Sequence, residues 1–118
     1  VAAKALLRSK DCLNLLALSD GEPAGFAEAA LRRGYVNGCD AAPGEPVAFL
    51  EGLDVVPALR RRGIARALCE RIADWARGLG VAELASDALI DNHESHAMHR
   101  ALGFAETQRV VFFRRALK

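Results

Sequence analysis

At 118 residues and 52% apolar side chains, the chain is expected to form a single domain, residues 1–118, with enough apolar content to bury a core. Its net charge of +1 rules out a strongly polyionic protein, no apolar run approaches the roughly 20 residues of a membrane span, and no signal-peptide pattern opens the chain. Three cysteines, Cys12, Cys39 and Cys69, are an odd number without metal-type spacing, which points to free thiols in a reducing, cytoplasmic setting.

In chain order, Val1 to Arg8 reads as the end of a helix. Leu13 to Ser19 and Ala24 to Leu31 read as the strands of an antiparallel hairpin around Asp20-Gly21-Glu22-Pro23. Gly34 to Pro46, rich in Gly, Pro, Asn and Asp, reads as a loop, and Val47 to Val56 as a central strand stopped by Pro57. Arg62 to Arg77 is predicted as a helix: Ile64, Leu68, Ile72, Trp75 and Leu79 recur every three to four residues, and Gly78 or Gly80 ends it. Val81 to Ala88 follows as a strand parallel to the central one through that crossover. Asp91-Asn92-His93-Glu94 resembles a capping box for a short helix that runs to Leu102 and stops at Gly103. Glu106 to Leu117 is predicted as a last strand.

The run Arg60-Arg61-Arg62-Gly63-Ile64-Ala65 joins the central strand to the long helix. At such a junction the first backbone N–H groups of the helix have no intrahelical partner, and the helix dipole adds positive potential, so the turn suits a phosphate or pyrophosphate. Gly63 lets the backbone approach an anion, and Ala65 is small enough not to block it. A Walker loop would need a Lys-Ser/Thr pair and a dinucleotide fold a Gly-x-Gly-x-x-Gly run, and neither is present.

Charge is segregated along the chain. Between Gly34 and Leu59 stand Asp40, Glu45, Glu51 and Asp54 with no Lys or Arg, and between Gly78 and His99 stand Glu83, Asp87, Asp91 and Glu94, again with none. The stretch between them carries six arginines. One reading is solvated surface charge; the other is a cleft that takes an anionic cofactor on one side and a cationic acceptor on the other.

The arginine turn resembles the Arg/Gln-x-x-Gly-x-Gly/Ala signature of the GNAT superfamily of N-acetyltransferases. Asn92-x-x-Ser95-x-x-Met98-His99-x-x-Leu102-Gly103-Phe104 has the spacing of that superfamily's Asn-x-x-Ala-x-x-Leu-Tyr-x-x-x-Gly-Phe element. Within it, Tyr35-Val36-Asn37-Gly38, Phe49-Leu50-Glu51-Gly52, Ala85-Ser86-Asp87 and Ala101 to Thr107 are similar to successive segments of bacterial aminoglycoside 6′-N-acetyltransferases. The resemblance implies an α/β (α+β) fold with a mixed, mostly antiparallel sheet and flanking helices. It also implies that an N-terminal strand and helix, which wall part of the acceptor pocket in relatives, is absent here.

The same resemblance assigns roles. Acetyl-coenzyme A would lie on Arg60, Arg61, Arg62, Gly63, Ile64 and Ala65, with Leu53, Val55 and Asn92 completing its site. The backbone after Glu51 would splay from its neighbour strand to receive the pantetheine and thioester. Tyr35, Glu51 and Asp87 would line the acceptor site. His99 stands where the superfamily often has a Tyr acid, Asp54 where relatives carry an aromatic residue, and Phe113 where many carry Tyr. The implied partners are acetyl-coenzyme A and an aminoglycoside, with no nucleic acid, no membrane and no metal, and a homodimer as the candidate assembly.

The chemistry asks for few groups. A primary amine is protonated at neutral pH and must lose a proton before it attacks a thioester, and a carboxylate can both hold the ammonium and accept that proton. Glu51 is the candidate base, against the alternative of a strand-end glutamate in a salt bridge. Asp87 either holds a second ammonium or serves as a turn or capping aspartate. The developing oxyanion would meet a backbone N–H near Val55, and His99 would either protonate the departing thiolate or simply pack. His93, His96 and His99 are three apart, so the first and last diverge by about 240° around a helix and a shared metal is not expected. Two other functions stay open: acetylation of another polyamine or a protein amine, and a non-catalytic coenzyme A-binding module.

Overall fold

Asp20 and Gly21 close a two-residue hairpin between β2 (Cys12–Ser19) and β3 (Glu22–Arg32) in the computed structural model, which describes residues 2–8, 11–34 and 36–118. Both turn residues have positive φ, 52° and 79°, the pair of left-handed conformations that matches a tight turn to the twist of its strands. Along β2, Leu13, Leu15 and Ala17 are buried and alternate with half-buried neighbours, so one face of the strand is core. The described chain falls into two compact units, Val1–Asp87 and Ala88–Lys118.

The first unit is built on a sheet of order β1-β2-β3-β4-β5. β4 spans Val47–Val55 and pairs antiparallel with β3, whereas β5 (Leu84–Ala85) pairs parallel with β4 through the crossover helix α1 (Ile64–Gly78). The sheet is mixed and mostly antiparallel, as expected. α1 packs against β2, β3 and β4 with Ile64, Leu68, Cys69, Ile72, Trp75 and Ala76 buried. Leu68 and Ile72 are fully buried, and truncating either to Ala would cost about 2–5 kcal/mol. Leu79, read as the end of the stripe, is instead 44% exposed beyond the helix. Gly80 is the stop: with φ at 76° it lets the amides of Gly80 and Val81 turn back onto the carbonyls of Arg77 and Ala76.

Four expectations about elements need correction. Residues 2–8 are not the end of a helix but strand β1 (Ala2–Arg8), antiparallel to β2, because tertiary pairing overrides the helical leaning of Ala, Leu, Lys and Arg. The long helix starts at Ile64 rather than Arg62, since Arg61 and Gly63 both take positive φ and cannot continue a helix. The strand expected over 81–88 is reduced to Leu84–Ala85, because Val81 closes the helix end and both oxygens of Glu83 bind the Asp40 amide at 3.0 and 3.1 Å. The last strand expected over 106–117 is irregular and exposed, with Phe112 and Phe113 at 86% and 92%.

Gly25 marks where β3 lies closest to β4. A Cβ there would come within 2.6 Å of the Asp54 carbonyl oxygen and 3.2 Å of the Val55 backbone. Gly25→Ala is therefore expected to force the strands apart at a cost of about 1–3 kcal/mol, read as a lower melting temperature.

In the second unit, α2 (His93–Ala101) begins with Asn92 as its cap, whose Oδ1 accepts from the Ser95 amide at 3.1 Å. It ends with Gly103 at φ 94°, where the amides of Gly103 and Phe104 reach the carbonyls of Arg100 and His99.

Candidate active site

The arginine turn forms a strained, uncapped helix entry. Two of its four residues before α1 have positive φ, Arg61 at 63° and Gly63 at 83°, and left-handed conformations at a non-glycine residue mark stored strain. Gly63 is the helix N-cap, no side chain caps α1, and its first turn carries no acidic residue. The first intrahelical bond runs from Ala67 N–H to the Gly63 carbonyl, so the amides of Ile64 and Ala65 lie above the first helical acceptor. α2, by contrast, is capped by Asn92. An uncapped helix start with an exposed glycine at its head is suited to an anion.

Arg60 braces this turn rather than reaching away from it. Its Nε donates to the Val55 carbonyl at 2.9 Å, and its Nη2 lies 3.3 Å from Asp54 Oδ1. Arg61 and Arg62 are exposed beside it. The Asp54 side chain thus has a partner that fixes the turn to the end of β4.

The sheet opens next to the turn. β4 and β5 pair only at Ala48 with Leu84 and Phe49 with Ala85, and past that point β4 has no ladder partner on this side among the described residues. Val56 N–H bonds the Ala24 carbonyl on β3. Because peptide groups alternate sides along a strand, those of Val55 and Leu53 face the opening instead. A chain seated there would find the Leu53 peptide groups and the Val55 N–H, the Val55 carbonyl already accepting from Arg60.

Glu51 and Asp87 stand at the mouth of this opening. Each lies two residues beyond the last paired residues of its strand, Phe49 and Ala85. On the other side of β4, Glu28 pairs with Gly52 but Ala29 pairs with Leu50, so Glu51 is the extra residue of a β-bulge. Alternation from Phe49 puts Glu51 on the face that carries Arg32 on β3, and the bulge brings Gly52 onto that face as well. There Arg32 holds both carboxylate oxygens, with Nη2 at 2.9 and 3.0 Å and Nε at 3.3 Å. The Arg32 guanidinium also lies 3.5 Å above the Phe49 ring centroid.

Neither Arg32 nor Glu28 is singled out by the sequence motifs. The signal that finds them is cross-strand register: Phe26, Glu28, Ala30 and Arg32 alternate onto one face of β3, opposite Asp54, Gly52 and Phe49. Gly52 is small where the Phe26 ring and the Glu28 carboxylate approach, at 3.3 and 3.9 Å from the position of a Cβ. This face therefore gathers Glu28, Glu51 and Asp54 beside an exposed aromatic ring, a surface suited to a polycation.

The remaining candidates are placed as follows. Tyr35 lies outside the described residues. Asn92 and His99 belong to the second unit, Asn92 as the α2 cap. His99 Nδ1 lies 2.7 Å from the Ser95 carbonyl, which can only accept, so the ring proton sits on Nδ1. Its ring packs edge-on against Phe104 at 5.3 Å. Nε2 of neutral His99 is then an acceptor, and the ring serves as an acid only when doubly protonated. His96 points its Nε2 at the Leu89 carbonyl instead, at 2.8 Å. Burial raises the thiol pKa of Cys39, with Glu83 adding to it, and burial likewise raises that of Cys69, with Glu70 adding and Arg66 opposing. Both stay protonated at neutral pH and are poor nucleophiles.

Residues 2–104 match the model of the Acetyltransferase (GNAT) family. The chain is 50% identical over 111 residues to an aminoglycoside N(6′)-acetyltransferase type 1 from Acinetobacter genomosp. 13, covering 93% of this chain and 74% of that protein. It is 43% identical over 110 residues to the Salmonella typhimurium enzyme of the same name, again covering 93% and 74%. Among solved structures, the apo aminoglycoside antibiotic 6′-N-acetyltransferase AAC(6′)-IG from Acinetobacter haemolyticus superposes with a TM-score of 0.86 at 46% identity, over 93% of this chain and 74% of that one. AAC(6′)-Iy in complex with the bisubstrate analog CoA-S-monomethyl-acetylneamine gives a TM-score of 0.84 at 42% identity, over 92% and 72%.

Proposed function

The chain belongs to the acetyltransferase (GNAT) family, and from that premise we propose that it transfers the acetyl group of acetyl-coenzyme A to the 6′-amino group of an aminoglycoside by direct attack in a ternary complex. One observation carries the reading: the sheet parts before an uncapped helix start, and Glu51 and Asp87 each stand two residues past the last β4–β5 pair. The likeness to enzymes named for this activity, at 43–50% identity over 93% of the chain, supports it. Chains 46% and 42% identical that share the fold, one of them holding a coenzyme A–acetylneamine conjugate, support it further.

In this reading the amides from Arg61 to Ala65 hold the pyrophosphate, and the peptide groups of Leu53 and Val55 hold the pantetheine arm and the thioester oxygen. Glu51 receives the acceptor's ammonium and takes its proton. The freed nitrogen forms a bond to the thioester carbon, the carbon–sulfur bond breaks, and coenzyme A leaves as a thiolate that is then protonated. The family resemblance, not the geometry, supports His99 as the source of that last proton, Asn92 in the cofactor site and Tyr35 in the acceptor site. Residues 1–118 act as one domain, a reading supported by a single family match, residues 2–104, that begins in the first unit and extends into the second. The free cysteines support a cytoplasmic setting. The exposure of the large apolar side chains Val111, Phe112, Phe113 and Leu117 along one segment supports a homodimer.

A thiol-release assay with acetyl-coenzyme A against aminoglycosides, simple polyamines and peptide amines tests the proposal. Turnover with aminoglycosides above the other classes is expected, and equal or better turnover with peptides would overturn it.

Asp87 supplies a narrower test. Its carboxylate is exposed, so Asp87→Asn should raise the KM of an aminoglycoside about three- to tenfold and leave that of acetyl-coenzyme A within about twofold. Aminoglycoside KM should also rise steeply with salt, because several ammonium groups meet several carboxylates. An equal effect on both substrates would remove Asp87 from the acceptor side.

A further inference from the structure

Arg32 ends β3, belongs to neither the cofactor seat nor the resemblance-derived site, and yet makes the most complete contact of the candidate base. The guanidinium makes three hydrogen bonds to the Glu51 carboxylate and engages both of its oxygens: Oε2 at 2.9 Å, and Oε1 at 3.0 and 3.3 Å. A carboxylate held this way cannot at the same time take an ammonium in those positions or accept its proton. The guanidinium therefore stands in positions that an acceptor's ammonium would use.

Two further observations bear on whether it can leave. The pair is open to water, with Arg32 and Glu51 side chains 45% and 37% exposed, so the contact is a weak one that an incoming cation can outcompete. The guanidinium also has a second resting place. It lies 3.5 Å over Phe49, whose ring is 6% exposed and fixed in a cluster with Val36, Val47 and Ala85. Released from Glu51, Arg32 keeps the ring as its support.

We propose that Arg32 is an internal counter-cation that occupies Glu51 in the acceptor-free enzyme and is displaced by the acceptor's ammonium, so that it sets acceptor affinity as a positioning residue. The proposal rests on the reading of Glu51 as the acceptor-side carboxylate. Every acceptor that uses Glu51 meets the same competition, so the penalty is one common factor and not a preference among amines. Arg32 also keeps the unloaded base occupied until an amine arrives.

Calorimetric titration of neamine into the full chain saturated with coenzyme A reads this without turnover. Arg32→Gln should tighten neamine binding about two- to tenfold, the range for one exposed ion pair with a ring contact. Arg32→Lys, which keeps the charge but loses the fork, should fall between the two. In a Glu51→Gln background the gain should shrink below about twofold, because the competition has no site left. Weaker neamine binding in Arg32→Gln would overturn the proposal by showing that Arg32 holds Glu51 for the acceptor. So would an equal gain in both backgrounds with no change in Arg32→Lys, which is the mark of net charge alone. Unchanged coenzyme A affinity across the set is expected. If the unsubstituted chain neither binds nor acetylates any aminoglycoside, the proposed function fails and this inference with it; if it does both and Arg32→Gln changes nothing, only this inference fails.

Discussion

Glu51→Gln is expected to lower turnover about a hundred- to ten-thousandfold at saturating acetyl-coenzyme A, the usual cost of removing a general base. The substitution keeps the shape and one hydrogen-bond acceptor while removing charge and basicity. Cofactor affinity should barely move, since Glu51 lies on the face of the bulge and not in the turn before α1. Stability should change by less than about 1 kcal/mol, because the lost partner is an exposed ion pair with Arg32. Raising the pH should partly restore the variant: more of the amine then arrives neutral, and the missing base is needed less. A carboxylate that only binds the acceptor gives a different pattern, with a raised KM and near-normal turnover. Full turnover across the pH range would remove Glu51 as the base and direct attention to a water chain to Asp54 or Asp87.

What the sequence reveals depends on whether the signal is local. Ile64, Leu68, Ile72 and Trp75 share one side of a helix, so α1 is legible from spacing alone, and Gly80 and Gly103 announce their helix ends because only a left-handed residue closes them. The Asp20-Gly21 hairpin is legible for the same reason. β1 is not, because Ala-Lys-Ala-Leu-Leu carries no strand signal and forms one only by pairing with β2. Residues 106–117 mislead in the opposite sense: Val110, Val111, Phe112 and Phe113 favour extended chain, yet no described strand pairs with them. At the proposed site, motif spacing points to Glu51, Asp87 and the arginine turn. It does not find Arg32, which lies 19 positions from Glu51. That contact depends on the register of β3 with β4, which is not written in any short stretch of residues.

Coenzyme A binding is expected to be lost in Gly63→Val, with Kd rising about a hundredfold or more as contacts to the phosphate oxygens are blocked. The backbone at Gly63 has φ of 83°, and a Cβ built there meets no protein atom within 4 Å. Nothing in the chain resists the added side chain, so it would occupy the open space at the head of α1, where an anion held by the first helical amides has to sit. The substitution carries a folding cost of its own. A β-branched residue in the left-handed region costs about 1–2 kcal/mol, which should appear as a melting temperature lower by several degrees with a single cooperative transition retained. Gly63→Ala separates the two effects: it has the same backbone strain and a smaller side chain, so it should lose comparable stability and retain more of the cofactor affinity. Calorimetric titration with coenzyme A and a melting curve on each variant are sufficient. Unchanged coenzyme A affinity in a folded Gly63→Val would mean that the pyrophosphate does not lie on this turn, and the resemblance of the arginine run to a cofactor grip would then be an accident of a basic helix entry.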